Sequence, residues 1–317
     1  MASFFRYPGG KSKFRDEILT AIAATSNDAM EYREPFFGGG SVGLMVLEDN
    51  DHTKQVSQDP FDLLFSFDTP TKGKNAKEKT FGYRSFWIND KDVGIFSLWN
   101  AVINNPEELK ELVNSFKPSI QAFDDYKQFF LDNPTPTTIS EIVECGFRKL
   151  AIHQISYSGL GVKSGGPLGG RNQDANTKYP IDCRWSPSNI CKKIDLIHKQ
   201  FISVDARVTN SDFAAMITDT SRPAFIYLDP PYYMKGGDLY QHAFTEDDHR
   251  RMADLLRVCP HPWVLSYDDC PEIRDLYSWA RIEAFDAKYT IQQTKVETDN
   301  GKKIAATEKT ELLIFPV

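Results

Sequence analysis

The sequence predicts an α/β fold: an open, doubly wound and mostly parallel sheet with helices on both faces. Three observations carry this. Glu31 to Phe37 runs straight into Gly38-Gly39-Gly40 and then into the apolar stretch Ser41 to Leu47, the strand, glycine turn and helix that open such a sheet. Ala224-Phe225-Ile226-Tyr227-Leu228 is apolar without a break, the mark of a central strand covered on both faces. The last third of the chain alternates such runs with a capped helix, as α/β units do.

Each element has its own signal. After the first helix, Glu48 to Ser85 is polar and includes Lys72-Gly73-Lys74-Asn75-Ala76-Lys77-Glu78-Lys79, which reads as an insertion or mobile hairpin over about 49–85. Phe86-Trp87-Ile88 is a compact strand ending at Asn89-Asp90, and Val93, Phe96, Leu98, Trp99 and Val102 follow with helical spacing. Thr138-Ile139-Ser140-Glu141 is a capping box that starts a helix running toward Ile155. A glycine-rich loop, Tyr157 to Arg171, comes next. Thr245-Glu246-Asp247-Asp248 caps a helix bearing Met252, Leu255 and Leu256, and Trp263 to Ser266 and Glu311 to Phe315 read as further strands.

The bulk numbers exclude several classes. In 317 residues with 41% hydrophobic and 26% charged, there is ample material for a core and no apolar run near the roughly 20 residues of a membrane span. Met1 to Arg6 has no basic start and long apolar stretch, so a cytoplasmic location is expected. Cys145, Cys183, Cys191, Cys259 and Cys270 form an odd set without close pairs, read as reduced thiols, and no metal site is expected. The net charge of -7 hides an asymmetry: Arg148 to Arg207 holds ten basic residues against four acidic ones. A basic stretch on an acidic chain suits a nucleic-acid cleft, and it also suits an uneven ordinary surface.

The sharpest motif is Asp229-Pro230-Pro231-Tyr232, placed directly after the apolar strand, where open α/β sheets bind ligands. Two prolines stiffen the turn and donate no N–H, so its carbonyls can serve as rigid acceptors. A carboxylate and a carbonyl accepting both hydrogens of a ring-conjugated amine would raise its nucleophilicity and stabilise the charge that develops as it reacts. The tyrosine offers a π-face for a base taken out of its stack. Alternatively, Asp229 is only a cap on a proline turn. Glu34 to Ser41 places glycines where backbone must approach a ligand closely, although a plain loop fits too. Asp90, at the end of the next strand, reads either as an acceptor for ribose hydroxyls or as a cap beside Lys91 and Asp92. Arg6 to Lys11 is a cation-flanked glycine turn that could close a pocket or lie exposed. No Pro-Cys pair occurs, which excludes the cysteine nucleophile that attack through C5 of cytosine requires.

Taken in order, Arg6 to Lys11, Glu34 to Ser41 and Asp229 to Tyr232 resemble the Dam-like, D12 class of DNA adenine-N6 methyltransferases. The resemblance extends through Asn89-Asp90, Tyr157 to Leu160, Ser211-Asp212-Phe213 and Lys309 to Phe315. It implies a Rossmann-like methyltransferase sheet and transfer from S-adenosyl-L-methionine to adenine N6 in double-stranded DNA. Asp229, Pro230 and Tyr232 would then be catalytic. Tyr7, Lys11, Phe36, Gly38, Gly40, Asp90, Asp212 and Asp229 would border the cofactor. It further implies that 1–100 and 201–317 form the catalytic domain and 101–200 an inserted, mainly helical DNA target-recognition subdomain. There the basic stretch places Tyr157, Lys163, Arg171, Lys178 and Arg184 as DNA-binding residues, joined by Arg6. A monomer or weak dimer is expected, with a cognate restriction nuclease as an optional partner. A degenerate nucleic-acid-binding protein on the same scaffold and an N4-cytosine methyltransferase stay open as alternatives.

Overall fold

The computed structural model describes residues 4–26, 29–51, 81–234, 244–287 and 309–317. Most of the expected insertion, 52–80, lies outside the described residues. Its two ends are docked: the Asn50 amide donates to the Tyr83 carbonyl at 2.8 Å and accepts from the Tyr83 N–H at 2.7 Å. A buried side chain thus stands in for a ladder pair, and the following strand enters the sheet in register.

Seven strands form one sheet: β1 (Glu31–Glu34), β2 (Ser85–Asn89), β3 (Asp205–Thr209), β4 (Ala224–Leu228), β5 (Trp263–Asp268), β6 (Arg281–Ala287) and β7 (Lys309–Phe315), ordered β3-β2-β1-β4-β5-β7-β6. The pairings of β1 to β5 are parallel, and β7 runs antiparallel to both β5 and β6. The chain starts in the middle, winds outward through β2 and β3, and returns to β4 beside β1. The order therefore reverses between β1 and β4, and a crevice opens beyond their carboxyl ends.

The unbroken apolar run of β4 serves both faces of the sheet. Phe225 and Tyr227 join one core with Ile18 and Ile22 of α1 (Arg15–Thr25), Leu44 and Val46 of α2 (Ser41–Glu48), and Leu98 and Val102 of α3 (Val93–Asn104). Ile226 and Leu228 join the other, with Ile217 of α8 (Ala214–Thr218), Met252 and Leu256 of α9 (Glu246–Arg257), and Ile273 of α10 (Pro271–Leu276). Period-2 alternation along a doubly covered strand produces this division.

Between β2 and β3 the chain builds α4 (Pro106–Ser115), α5 (Ile120–Leu131), α6 (Ile139–Ile155) and α7 (Pro187–Phe201). Leu109 and Val113 of α4, Val143, Phe147 and Leu150 of α6, and Ile190 and Ile194 of α7 belong to the first core. Phe123 and Phe130 of α5 instead join Ile152, Ile155, Val162 and Ile181 in a smaller cluster beneath the glycine-rich loop. The capping box at Thr138 and Glu141 forms with both of its hydrogen bonds, and Thr245 with Asp248 makes another at the start of α9. Strand β1 ends at Glu34, three residues earlier than Glu31 to Phe37 implied, because Pro35 cannot donate to a ladder.

Gly40 is the N-cap of α2 at φ +68°. A Cβ there would lie 2.6 Å from the Trp99 ring and 2.9 Å from Phe37, so backbone strain and overpacking act together. Gly40→Ala is expected to cost about 2 kcal/mol of stability. A urea titration checks this, and an unchanged midpoint would show that the turn relaxes freely.

Candidate active site

The crevice between β1 and β4 holds a cavity of about 420 Å³, within the range of small-molecule sites. Tyr7, Phe36, Gly38, Asp90, Asp212 and Asp229 all line it. Six of the eight residues expected to border a cofactor thus meet around one space. Gly40 serves the helix turn. Lys11 is 2% exposed and points instead at Asp229.

The Lys11 ammonium straddles the Asp229 carboxylate, 2.8 Å from Oδ1 and 2.9 Å from Oδ2. The Ser266 hydroxyl, on β5, donates to Asp229 Oδ1 at 2.8 Å and lies 3.0 Å from the Tyr227 hydroxyl. Asp229 is therefore anchored by a cation and a hydroxyl rather than capping a turn. The N-terminal turn is not an exposed loop either: the Lys11 N–H donates to Ser41 Oγ at 3.0 Å, which joins it to the first residue of α2. Asp229 and Pro231 face the cavity, Pro230 is buried, and Tyr232 is half-buried beside it. The Tyr232 hydroxyl donates to Glu311 Oε2 at 2.8 Å, and Asp268 accepts the N–H groups of Tyr233 and Met234, each at 3.1 Å.

Two further acids on the wall are held differently. Burial pushes the Glu34 carboxyl well above the usual range, against the lowering effect of the Tyr32 hydroxyl, and nearby Asp229 adds to the rise. Burial, then Asp92, pushes Asp90 up to about 7. Asp90 Oδ2 accepts the Gly38 N–H at 2.8 Å and Oδ1 the Asp92 N–H at 2.9 Å. Asp90 thus ties two turns together and still faces the cavity, with acceptor capacity beyond one N–H per oxygen, while the cap of α3 is Asp92. Asn89, fully buried, bridges Pro35, Thr209 and Ser211 and so clamps the ends of β1, β2 and β3.

At the far end, Arg251 forks onto Asp212 at 3.1 and 2.7 Å and lies over the Phe213 ring, 4.4 Å from its centroid. Phe36, Phe213 and Phe244 pack together there. The cavity thus has an acidic and aromatic end at Asp212 and a charged, anchored end at Asp229.

The expected DNA-contacting residues lie on and around the loop after α6. Arg6 donates to the Ser156 carbonyl at 3.1 Å. Burial, and then the Arg184 charge, lower its pKa. Tyr157 is 64% exposed, and Lys163, Lys178 and Arg184 are exposed too. Arg171 is exposed but forks onto Asp124 at 2.9 and 2.8 Å, so it would have to exchange that partner for a phosphate. Ser158, at φ +55°, is a strained non-glycine residue at the start of this loop.

His153 joins loop to cavity. Its Nδ1–H donates to the Gly159 carbonyl at 2.7 Å, and its ring lies 5.3 Å from that of Tyr7. Burial, then the Lys149 charge, lower its pKa to about 3 from the usual 6.5. The unfolded chain takes up this proton first. Stability is thus full above pH 6.5 and falls as the pH drops toward 3, by up to about 1.4 kcal/mol per pH unit from this group. Urea midpoints at pH 7.5 and 5 should diverge more for the wild type than for His153→Phe; equal divergence would remove His153 from the acid response.

The residues that sequence reasoning missed are Ser266, Asp268, Glu311, Arg251 and His153. None carries a local signal: Ser266, Asp268, Glu311 and Arg251 are ordinary strand or helix residues whose partners are remote in sequence, and the contact of His153 with Tyr7 is made only by the fold.

The family model for D12 class N6 adenine-specific DNA methyltransferases matches residues 7–66 and 75–291. The chain is also 21% identical over 326 residues to the Type II methyltransferase M1.LlaDCHI of Lactococcus lactis subsp. cremoris, covering 98% of this chain and 94% of that protein. With its seven-stranded sheet and an anchored Asp229-Pro230-Pro231-Tyr232 at the switch point, the chain belongs to the D12 class of adenine-specific DNA methyltransferases.

Proposed function

We propose that the chain is a site-specific enzyme that methylates N6 of an adenine flipped out of duplex DNA, with S-adenosyl-L-methionine as methyl donor. The observation that carries this reading is the anchored Asp229 beside the cavity. An adenine amine presented there would donate one hydrogen to Asp229 and one to the Pro230 carbonyl, which favours a pyramidal, nucleophilic nitrogen. Lys11 and Ser266 fix the carboxylate beforehand, so little reorganisation is needed. Tyr232 would give the base a stacking surface.

The cavity suits the proposed cofactor. Asp90 would accept ribose hydroxyls, Phe36 and the Asp212–Phe213 end would hold the adenine ring, and Tyr7 with Gly38 would border the methionine part. When bound, it supplies an activated methyl group on a sulfonium. Asp229 and the Pro230 carbonyl would hold the amine nitrogen that takes this methyl group; the donor would leave as a neutral thioether, and the proton the nitrogen sheds would pass to solvent.

Residues 101–200 are proposed as the target-recognition subdomain, with Arg6, Tyr157, Lys163, Arg171, Lys178 and Arg184 toward DNA and 1–100 with 201–317 as the catalytic domain. Among the described residues no helix is long and apolar enough to cross a membrane. A cytoplasmic monomer or weak dimer, with or without a partner nuclease, is the proposed setting. Incubation with methyl-labelled cofactor and unmethylated duplex DNA, then digestion to nucleosides, tests the reading. N6-methyladenine is expected. A dominant N4-methylcytosine peak would move the target base, and binding without incorporation would leave only the degenerate binder.

A further inference from the structure

We propose that Glu311 is the positioning residue for Tyr232 and thereby sets the surface that the target base meets. The inference rests on the proposed base-holding role of Asp229 to Tyr232. The Tyr232 ring follows two prolines, which stiffen the backbone but leave the aromatic side chain free to turn about its own bonds. Its hydroxyl is tethered to Glu311 Oε2 at 2.8 Å. Glu311 is 2% exposed on β7, so a carboxylate has been taken out of water to make this bond, and a phenol bound to a carboxylate is held more firmly than one bound to a neutral acceptor.

The placement of Glu311 strengthens the case. In the antiparallel ladder of β5 and β7 it stands directly opposite Asp268. Like charges at opposed positions destabilise a sheet, and the packing of two interior strands does not call for either acid. Both face the same stretch of chain: Asp268 accepts the N–H groups of Tyr233 and Met234, while Glu311 accepts the Tyr232 hydroxyl. The backbone after the prolines and the ring before it are thus held by one cross-strand pair. The Lys11 ammonium, 4.6 Å from the Tyr232 centroid, adds a second constraint on the same ring and links it to Asp229. An enzyme that must receive a base from solution gains from a ring already in place, because the ordering cost is met before binding.

The test measures methyl transfer to unmethylated plasmid DNA by the full chain and its variants Glu311→Ala, Glu311→Gln, Tyr232→Phe and the double variant Glu311→Ala with Tyr232→Phe. Glu311→Ala should lower kcat about tenfold, the effect of one ordinary hydrogen bond. Its KM for the methyl donor should stay within about twofold, since no ground-state contact to the donor is lost. Glu311→Gln, which keeps an acceptor oxygen, should recover most of the rate. The double variant should be no slower than the slower single one, because both substitutions cut the same bond.

An unchanged kcat for Glu311→Ala, or a double variant whose loss equals the product of the single losses, overturns the proposal. If Glu311→Ala melts below the assay temperature, Tyr232→Phe decides alone, since it removes the hydroxyl with Glu311 in place; a wild-type rate would overturn the tether. Asp229→Ala assayed in parallel separates the two levels. Undiminished transfer by Asp229→Ala removes the base-holding reading itself, whereas an inactive Asp229→Ala beside a fully active Glu311→Ala removes only the role of Glu311.

Discussion

Asp229→Asn is expected to lower methyl transfer about 10³-fold, the scale on which one preorganised electrostatic partner acts at a reacting centre. The substitution keeps the size of the side chain and an oxygen for Ser266, which donates to Asp229 Oδ1 at 2.8 Å. It removes the charge that would stabilise a nitrogen becoming positive. Asparagine is a better test than alanine, because alanine would also empty the space in front of the Lys11 ammonium. Rates with labelled donor and duplex DNA, normalised to folded protein by circular dichroism, give the answer; transfer within tenfold of wild type would take Asp229 out of the chemistry.

Lys11→Met should cost stability as well as rate. Lys11 is 2% exposed, and its ammonium lies within 2.9 Å of both Asp229 oxygens. Breaking such a pair from one side leaves a carboxylate in a poorly solvated place, and a loss of about 3 kcal/mol is expected, the lower end for buried pairs because Asp229 keeps some contact with water. The double variant Lys11→Met with Asp229→Asn leaves neither charge unpaired, so it should be more stable than Lys11→Met alone while staying inactive. Urea unfolding of the three variants measures this. If the double variant is the least stable, the two residues act independently and the pairing does not organise the site. The same measurement separates anchoring from chemistry, since stability returns in the double variant and turnover does not.

Both expectations follow from the crevice that the strand order opens. The chain reverses direction across the sheet between β1 and β4, and the turns after these two strands carry the glycines and Asp229. Lys11 arrives from the N-terminal turn, Ser266 from β5 and Glu311 from β7. Three separate parts of the chain thus converge on a motif four residues long.

Local chemistry made much of this legible in the residues themselves. The run Ala224 to Leu228 reads as a covered strand because nothing polar interrupts it, and Thr138 with Glu141 reads as a helix start because the two side chains satisfy each other's backbone within four residues. Asp229, Asp90 and the glycines stand out because turns after parallel strands are where such a sheet binds ligands. Helices α4, α5 and α7 fall in a stretch expected to be mainly helical, and α7 buries Ile190, Ile194, Ile197 and Phe201 at helical spacing, whereas β3, an edge strand with exposed or half-buried residues, had no apolar run to reveal it. The partners of Asp229 could not be read at all. Lys11 lies 218 residues from Asp229 and Ser266 lies 37 residues from it, and Glu311 is 79 residues from Tyr232. Separations of that size carry no periodicity. The winding of the sheet decides which strand ends meet, and only then does a buried lysine find its carboxylate and a tyrosine its tether.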